Sequence, residues 1–180
     1  MKNIAVIYKS KYGSTKQYAE WIAVELSASL FEATKIKPFQ LMDYDTVVYG
    51  GGLYASGING VKLVTANPSK SLVIFTVGAA DPKTTDYSEI LAKNFTQEML
   101  SKTKVFHLHG GIDYKRLTPI HKAMMAMAKK LRVDSKPQEL HSDEDVKFLD
   151  TYGDKFDFTD KSTIKPLIEY VREMQTLGQT

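Results

Sequence analysis

The chain has no cysteine, which excludes disulfides, thiolate metal sites and cysteine nucleophiles and suits a reducing compartment. Long apolar runs are also missing. Residues 4–8 turn polar after five positions, too short for a signal peptide's apolar region or a membrane span, so a cytoplasmic protein is expected. Charge of one sign is scarce: 24 basic and 21 acidic residues leave a formal +3. No global field therefore draws the chain to nucleic acid, and no nucleic-acid partner is expected. Internal repeats and low-complexity tracts are absent, which argues against a second independent domain. What remains is 180 residues with 43% hydrophobic content, ample for one domain with a packed core over residues 1–180, or one with a sizeable insertion.

Strands and helices alternate along that chain. Residues 4–8 are apolar, β-branched and aromatic, and a Gly-Ser-Thr turn leads into a periodic stretch over 16–30, so a buried strand, a turn and a helix are predicted. Tyr18, Ala19, Ile22, Ala23, Leu26 and Leu30 form that helix's apolar stripe, with Trp21 at its rim. A weaker second strand is predicted over 34–39, a third over 46–49, a loop over 50–57 and a helix over 58–67. A fourth strand over 71–77, a loop over 78–82, a helix over 86–100 and a fifth strand over 104–109 follow. Nearly continuous apolar strands between helices indicate a parallel sheet covered on both faces. Residues 110–161 read as an insertion after strand five, with a helix over 117–132 and a loop or short acidic cap over 134–145. A last helix is predicted over 163–174.

In a doubly wound sheet, ligands sit beyond the carboxyl ends of the strands, where strand order reverses. Strand one must feed such a site. Its loop, Ser10-Lys11-Tyr12-Gly13-Ser14-Thr15, offers three hydroxyls, a glycine that lets the backbone curl, and a helix start whose amides and dipole favour an anion. The same residues also suit an ordinary helix start in which Ser14 or Thr15 caps the first turn without a ligand. A Walker A loop would need a Gly-Lys-Ser/Thr ending, and a dinucleotide loop Gly-x-Gly-x-x-Gly; neither is present. A receiver domain shares this strand pattern, yet it would place acids after strand one and a phosphorylatable Asp at the end of strand three. Here those ends are Tyr8-Lys9-Ser10 and Tyr49-Gly50.

Residues 6–22 resemble the flavodoxin signature at each constrained position: two aliphatics, an aromatic, Ser, a small residue, Thr, Ala and a closing aliphatic. The resemblance implies a flavodoxin-like α/β fold, a five-stranded parallel sheet in order 2-1-3-4-5 with helices on both faces, and FMN held with its phosphate in the 10–15 loop. Two later loops would flank the flavin ring. Gly50, Gly51, Gly52, Leu53, Tyr54 and Ala55 follow strand three, and Gly78, Ala79, Ala80 and Asp81 follow strand four. Many flavodoxins sandwich the ring between two aromatic side chains; this chain offers Tyr54 on one side and only Ala79-Ala80 on the other, which leaves room for an organic substrate.

Basic residues concentrate in one place. Lys115, Arg116, Lys122, Lys129, Lys130 and Arg132 occupy a span without an acid, and Ile120, Ala123, Met124, Met127, Ala128 and Leu131 share one face of the helix predicted there. Packing of that face on the protein's own core is the default expectation. Anionic headgroups, a hydrophobic substrate or a second copy of the chain, giving a homodimer, are the alternatives. Residues 105–119 resemble the menaquinone-dependent protoporphyrinogen dehydrogenase branch of the flavodoxin superfamily, with a Gly after strand five, an aromatic turn with basic neighbours and a Met-rich helix. That resemblance implies an oxidoreductase with a tetrapyrrole substrate and a quinone acceptor, peripheral at the inner membrane face. The alternative is an electron carrier with a redox partner protein and no substrate of its own. His107 and His109, two apart, project to one face of strand five; with no third ligand no metal site is expected. No side chain stands out as an acid or base, and no catalytic residue is assigned.

Overall fold

In the computed structural model, which describes residues 3–54 and 57–177, the opening apolar run forms strand β1 (Ile4–Lys9). Successive side chains of a strand point to opposite faces. Ile4 and Val6 therefore join one buried cluster while Ala5 and Ile7 join the other. The further strands of this sheet are β2 (Ser29–Glu32), β3 (Thr46–Tyr54), β4 (Gly57–Ile58), β5 (Leu72–Gly78) and β6 (Lys104–His109). Five of them run parallel in the order β2-β1-β3-β5-β6, and β4 folds back antiparallel on β3. Counting the parallel strands alone, this is the order 2-1-3-4-5. It reverses between β1 and β3, so the crevice opens at their carboxyl ends.

The helices are α1 (Ser14–Leu26), α2 (Lys62–Thr65), α3 (Ser88–Asn94), α4 (Gln97–Lys102), α5 (Pro119–Lys129), α6 (Asp143–Thr151) and α7 (Lys165–Leu177). Tyr18, Ala19 and Ile22 of α1 with Leu167, Ile168 and Val171 of α7 cover one face of the sheet. Val64 of α2 and Phe95 cover the other, with Leu91 of α3 and Met99 of α4 packed against them.

Four elements depart from the sequence reading. Ser27 turns left-handed (φ 50°, ψ 41°) and ends α1 at Leu26, so Leu30 belongs to β2, and the strand predicted over 34–39 is a turn followed by a 3-10 helix, Pro38–Asp43. Leu30 matched the helical spacing only because a strand starts where the next helical turn would have been. The helix predicted over 58–67 shrinks to α2, because Ile58 pairs with Leu53. The one over 86–100 breaks at Phe95, extended at φ −134° and ψ 150°, and Thr96 caps the next helix by accepting the Met99 N–H at 3.2 Å.

The chain divides into two compact units, Met1–Gly110 with Phe158–Thr180, and Gly111–Asp157. The second opens and closes with an antiparallel pair, β7 (Gly111–Asp113) and β8 (Lys155–Asp157). Thr118 caps α5 and Pro119 occupies its first turn, where a missing N–H is harmless. A single π-helical turn, Lys130–Asp134, follows. Ser142 and Asp145 form a reciprocal capping box at the start of α6. Asp145, buried, also accepts from Arg132 Nε at 2.7 Å and faces Lys136 at 3.6 Å. The backbone N–H of Ser142 and the Arg132 guanidinium hold its carboxyl far below the usual carboxylate range. The apolar face of α5 is not packed on a core as expected: Ile120 is 73% exposed, Met124 40%, Met127 64% and Leu131 69%. Among the described residues no helix is long and apolar enough to cross a membrane.

Candidate cofactor site at the carboxyl edge of the sheet

The loop after β1 reaches the edge with Ser10, whose Oγ accepts the Gly13 N–H at 3.1 Å while its own hydrogen stays available to donate. Gly13 adopts φ 109° and ψ −35° and is the residue that caps α1. A side chain is disfavoured at that angle, and a Cβ placed there would meet nothing within 4 Å, so the loop is open on this side. Ser14 and Thr15 are already inside the helix, which overturns the reading in which one of them caps it. The N-cap Gly13 has no side chain with which to cap the helix, and no acid lies in its first turn. The positive dipole end of α1 therefore favours an anion.

Thr15 is 4% exposed, and its hydroxyl lies under Gly52: a Cβ on Gly52 would stand 3.3 Å from Thr15 Oγ1. The rings of Tyr12 and Tyr54 are 6.2 Å apart. Burial and the neighbouring Tyr12 push the Tyr54 hydroxyl up to about 12, so it stays protonated and can donate. Lys11 is exposed, its ammonium 5.9 Å from the Tyr12 ring. Lys9 faces Glu32 at 3.8 Å.

The glycines after Tyr49 are strand rather than loop. Gly50, Gly51 and Gly52 pair with β1 or β5 within β3, and neighbours fill the space of the missing side chains. A Cβ on Gly50 would run into the Phe75 ring, and one on Gly51 into the Ile58 side chain. Close packing inside the sheet, not approach of a ring, accounts for these two. Leu53 lies against Gly78, to which an added Cβ would bring it within 3.0 Å. Ala55 falls outside the described residues.

The loop after β5 spends its polar groups on itself. Asp81 Oδ1 accepts the Lys83 N–H at 3.0 Å, and its carbonyl accepts the Thr85 hydroxyl at 2.7 Å. The Asp81 carboxylate therefore braces the turn. Ala79 and Ala80 are exposed, and the Ala79 carbonyl accepts from His109 Nε2 at 3.0 Å.

Two residues of the edge escaped the sequence reading. His109, at the end of β6, steadies the 78–81 loop and its ring lies 4.5 Å from that of Phe158. Its position at a strand's carboxyl end, next to a glycine, was the available signal. Tyr18, fully buried, donates to the His109 carbonyl at 2.7 Å and accepts the Asp160 N–H at 3.0 Å. Inside the apolar stripe of a helix it gave no sign of that role. His107 instead turns inward: Thr76 Oγ1 lies 2.6 Å from its Nδ1 and Tyr87 stacks on it at 3.6 Å. Burial pulls it down to about 4, so it is neutral at pH 7. Among the described residues no three His, Asp or Glu side chains converge as metal ligands.

The flavodoxin domain family matches residues 5–138, more than half of the chain and all three loops described above. The chain belongs to that family. Among solved structures this flavodoxin domain is similar to a flavodoxin from the domain Archaea, at 15% identity and a TM-score of 0.45, over 59% of this chain and 82% of that one. It is also similar to a flavoprotein from Lactobacillus acidophilus NCFM solved in complex with FMN (13% identity, TM-score 0.42, 61% and 93% covered). A third is the two-electron reduced flavodoxin of Megasphaera elsdenii (10% identity, TM-score 0.45, 59% and 84% covered). No curated protein matches the chain.

Proposed function

We propose that the chain binds one FMN non-covalently and works as a flavin oxidoreductase. The observation that supports it is the start of α1: glycine at the N-cap, Gly13 at positive φ, and no acid in the first turn. The group that fits there is a phosphate, which would lie at the helix N-terminus against the hydroxyls of Ser10, Ser14 and Thr15. Tyr12, Leu53 and Tyr54 would flank a planar ring on one side. Gly78, Ala79 and Ala80, none of them aromatic, would flank it on the other. When bound, FMN supplies reversible electron transfer, and the chain supplies placement and exclusion of water.

The finer reading is a protoporphyrinogen dehydrogenase-like reaction with a quinone acceptor, supported by the resemblance of residues 105–119 and by the short side chains of Ala79 and Ala80. It puts the working protein at the inner membrane face as a peripheral protein. Two measurements test these levels separately. Mass spectrometry of the molecule released on denaturation is expected to give FMN. Oxidation of protoporphyrinogen by the holoprotein with a soluble quinone is then expected to exceed that of free FMN. A yellow protein without such turnover would be a carrier.

A further inference from the structure

The stripe formed by Ile120, Ala123, Met124, Met127, Ala128 and Leu131 repeats at three- and four-residue spacing, and all six residues are exposed. It runs for about 17 Å at 1.5 Å per residue. A helix whose apolar face is exposed needs something outside its own unit to cover it.

The cations around it narrow the choice. Arg132 and Lys129 are held within the unit, by Asp145 at 2.7 Å and Asp134 at 3.2 Å. Lys115, Arg116, Lys122 and Lys130 are exposed, and residues 115–132 contain no acid. Lys115 and Arg116 stand before the N-terminus of α5, where the helix dipole disfavours cations, so helix stability does not explain them. A second copy docked face to face would bring these like charges together. A specific protein partner is normally gripped by aromatic anchors, and the stripe has none. Flexible methionines beside lysines suit a fluid interface between acyl chains and anionic headgroups.

We infer that the exposed face of α5 is a docking surface for an anionic lipid bilayer. The inference gives a residue-level surface to the peripheral location proposed above and does not depend on the flavin.

The test is co-sedimentation of the full chain with vesicles of phosphatidylcholine alone or with roughly one-third phosphatidylglycerol. Binding is expected to the anionic vesicles and to weaken with salt. Lys130→Gln, at the edge of the stripe, should lower the partition constant roughly fivefold. Ile120→Ser with Met127→Ser should lower it further while leaving the salt dependence in place. Absence of binding to anionic vesicles at low salt, or equal binding to both vesicle types, would overturn the inference. Self-association in sedimentation velocity that the Ser variants abolish would also overturn it, in favour of a second copy. Pelleting is read from the protein itself, so a colourless chain that binds vesicles and a yellow chain that does not separate this inference from the flavin proposal.

Discussion

α1 and α5 carry the same pattern, an apolar stripe at three- and four-residue spacing, and meet opposite fates. On α1 the residues Tyr18, Ala19, Ile22 and Ala23 are buried against the sheet. On α5 Ile120, Met124, Met127 and Leu131 are exposed. Periodicity thus shows that a helix has an apolar side, and only topology says what covers it. α1 connects two parallel strands and must lie across the sheet. α5 lies in a unit whose only strands are the three-residue β7 and β8, too little sheet to cover such a stripe.

Substitutions on the two stripes sharpen that contrast. Ile22→Ala should cost about 2–5 kcal/mol in urea unfolding, through lost burial and a cavity. Next in size is Gly50→Ala, whose methyl would press into Phe75; overpacking of this kind costs about 1–3 kcal/mol. Acid should divide the two units. His107 sits at about 4 when folded against 6.5 ordinarily, so the unfolded chain takes up the proton first. Its contribution is complete above pH 6.5 and is lost as pH falls toward 4, a slope that His107→Phe should flatten. Trp21, the single tryptophan, reports the sheet unit by fluorescence. Asp145, held low when folded, contributes above the ordinary carboxylate range and loses its effect only below it. Asp145→Asn should therefore change the acid limb of the 111–157 unit and leave the Trp21 signal at pH 5 untouched. The smallest effect is expected from Met127→Ala, within about 0.5 kcal/mol. A loss as large as that of Ile22→Ala would mean that the α5 face is covered.

The parallel core was legible because residues 4–8 and 71–77 are nearly continuous apolar runs between helical stretches, and Val105, Phe106 and Leu108 mark a third strand. β2 was not, since an edge strand of four residues with two exposed side chains carries little pattern. The strand character of Gly50 and Gly51 was hidden for another reason. It depends on Phe75 and Ile58 filling the vacant Cβ positions, and those contacts are not local in sequence. At the site, the turn from strand to helix over 10–15 was readable, but whether Ser14 or Thr15 capped the helix was not. That turned on the backbone of Gly13. The inward role of Asp81 was equally hidden, because a carboxylate bracing its own turn looks in sequence like one facing a ligand.

All of the functional reading depends on a phosphate at the start of α1, and comparison of FMN with riboflavin by flavin fluorescence titration tests it most directly. The two ligands share the ring and differ in the phosphate. Charge-assisted hydrogen bonds, worth roughly 1.5–3 kcal/mol each, should make FMN tighter by at least about 100-fold, with the difference reduced in Thr15→Val. Equal affinity for the two flavins would contradict the phosphate cradle.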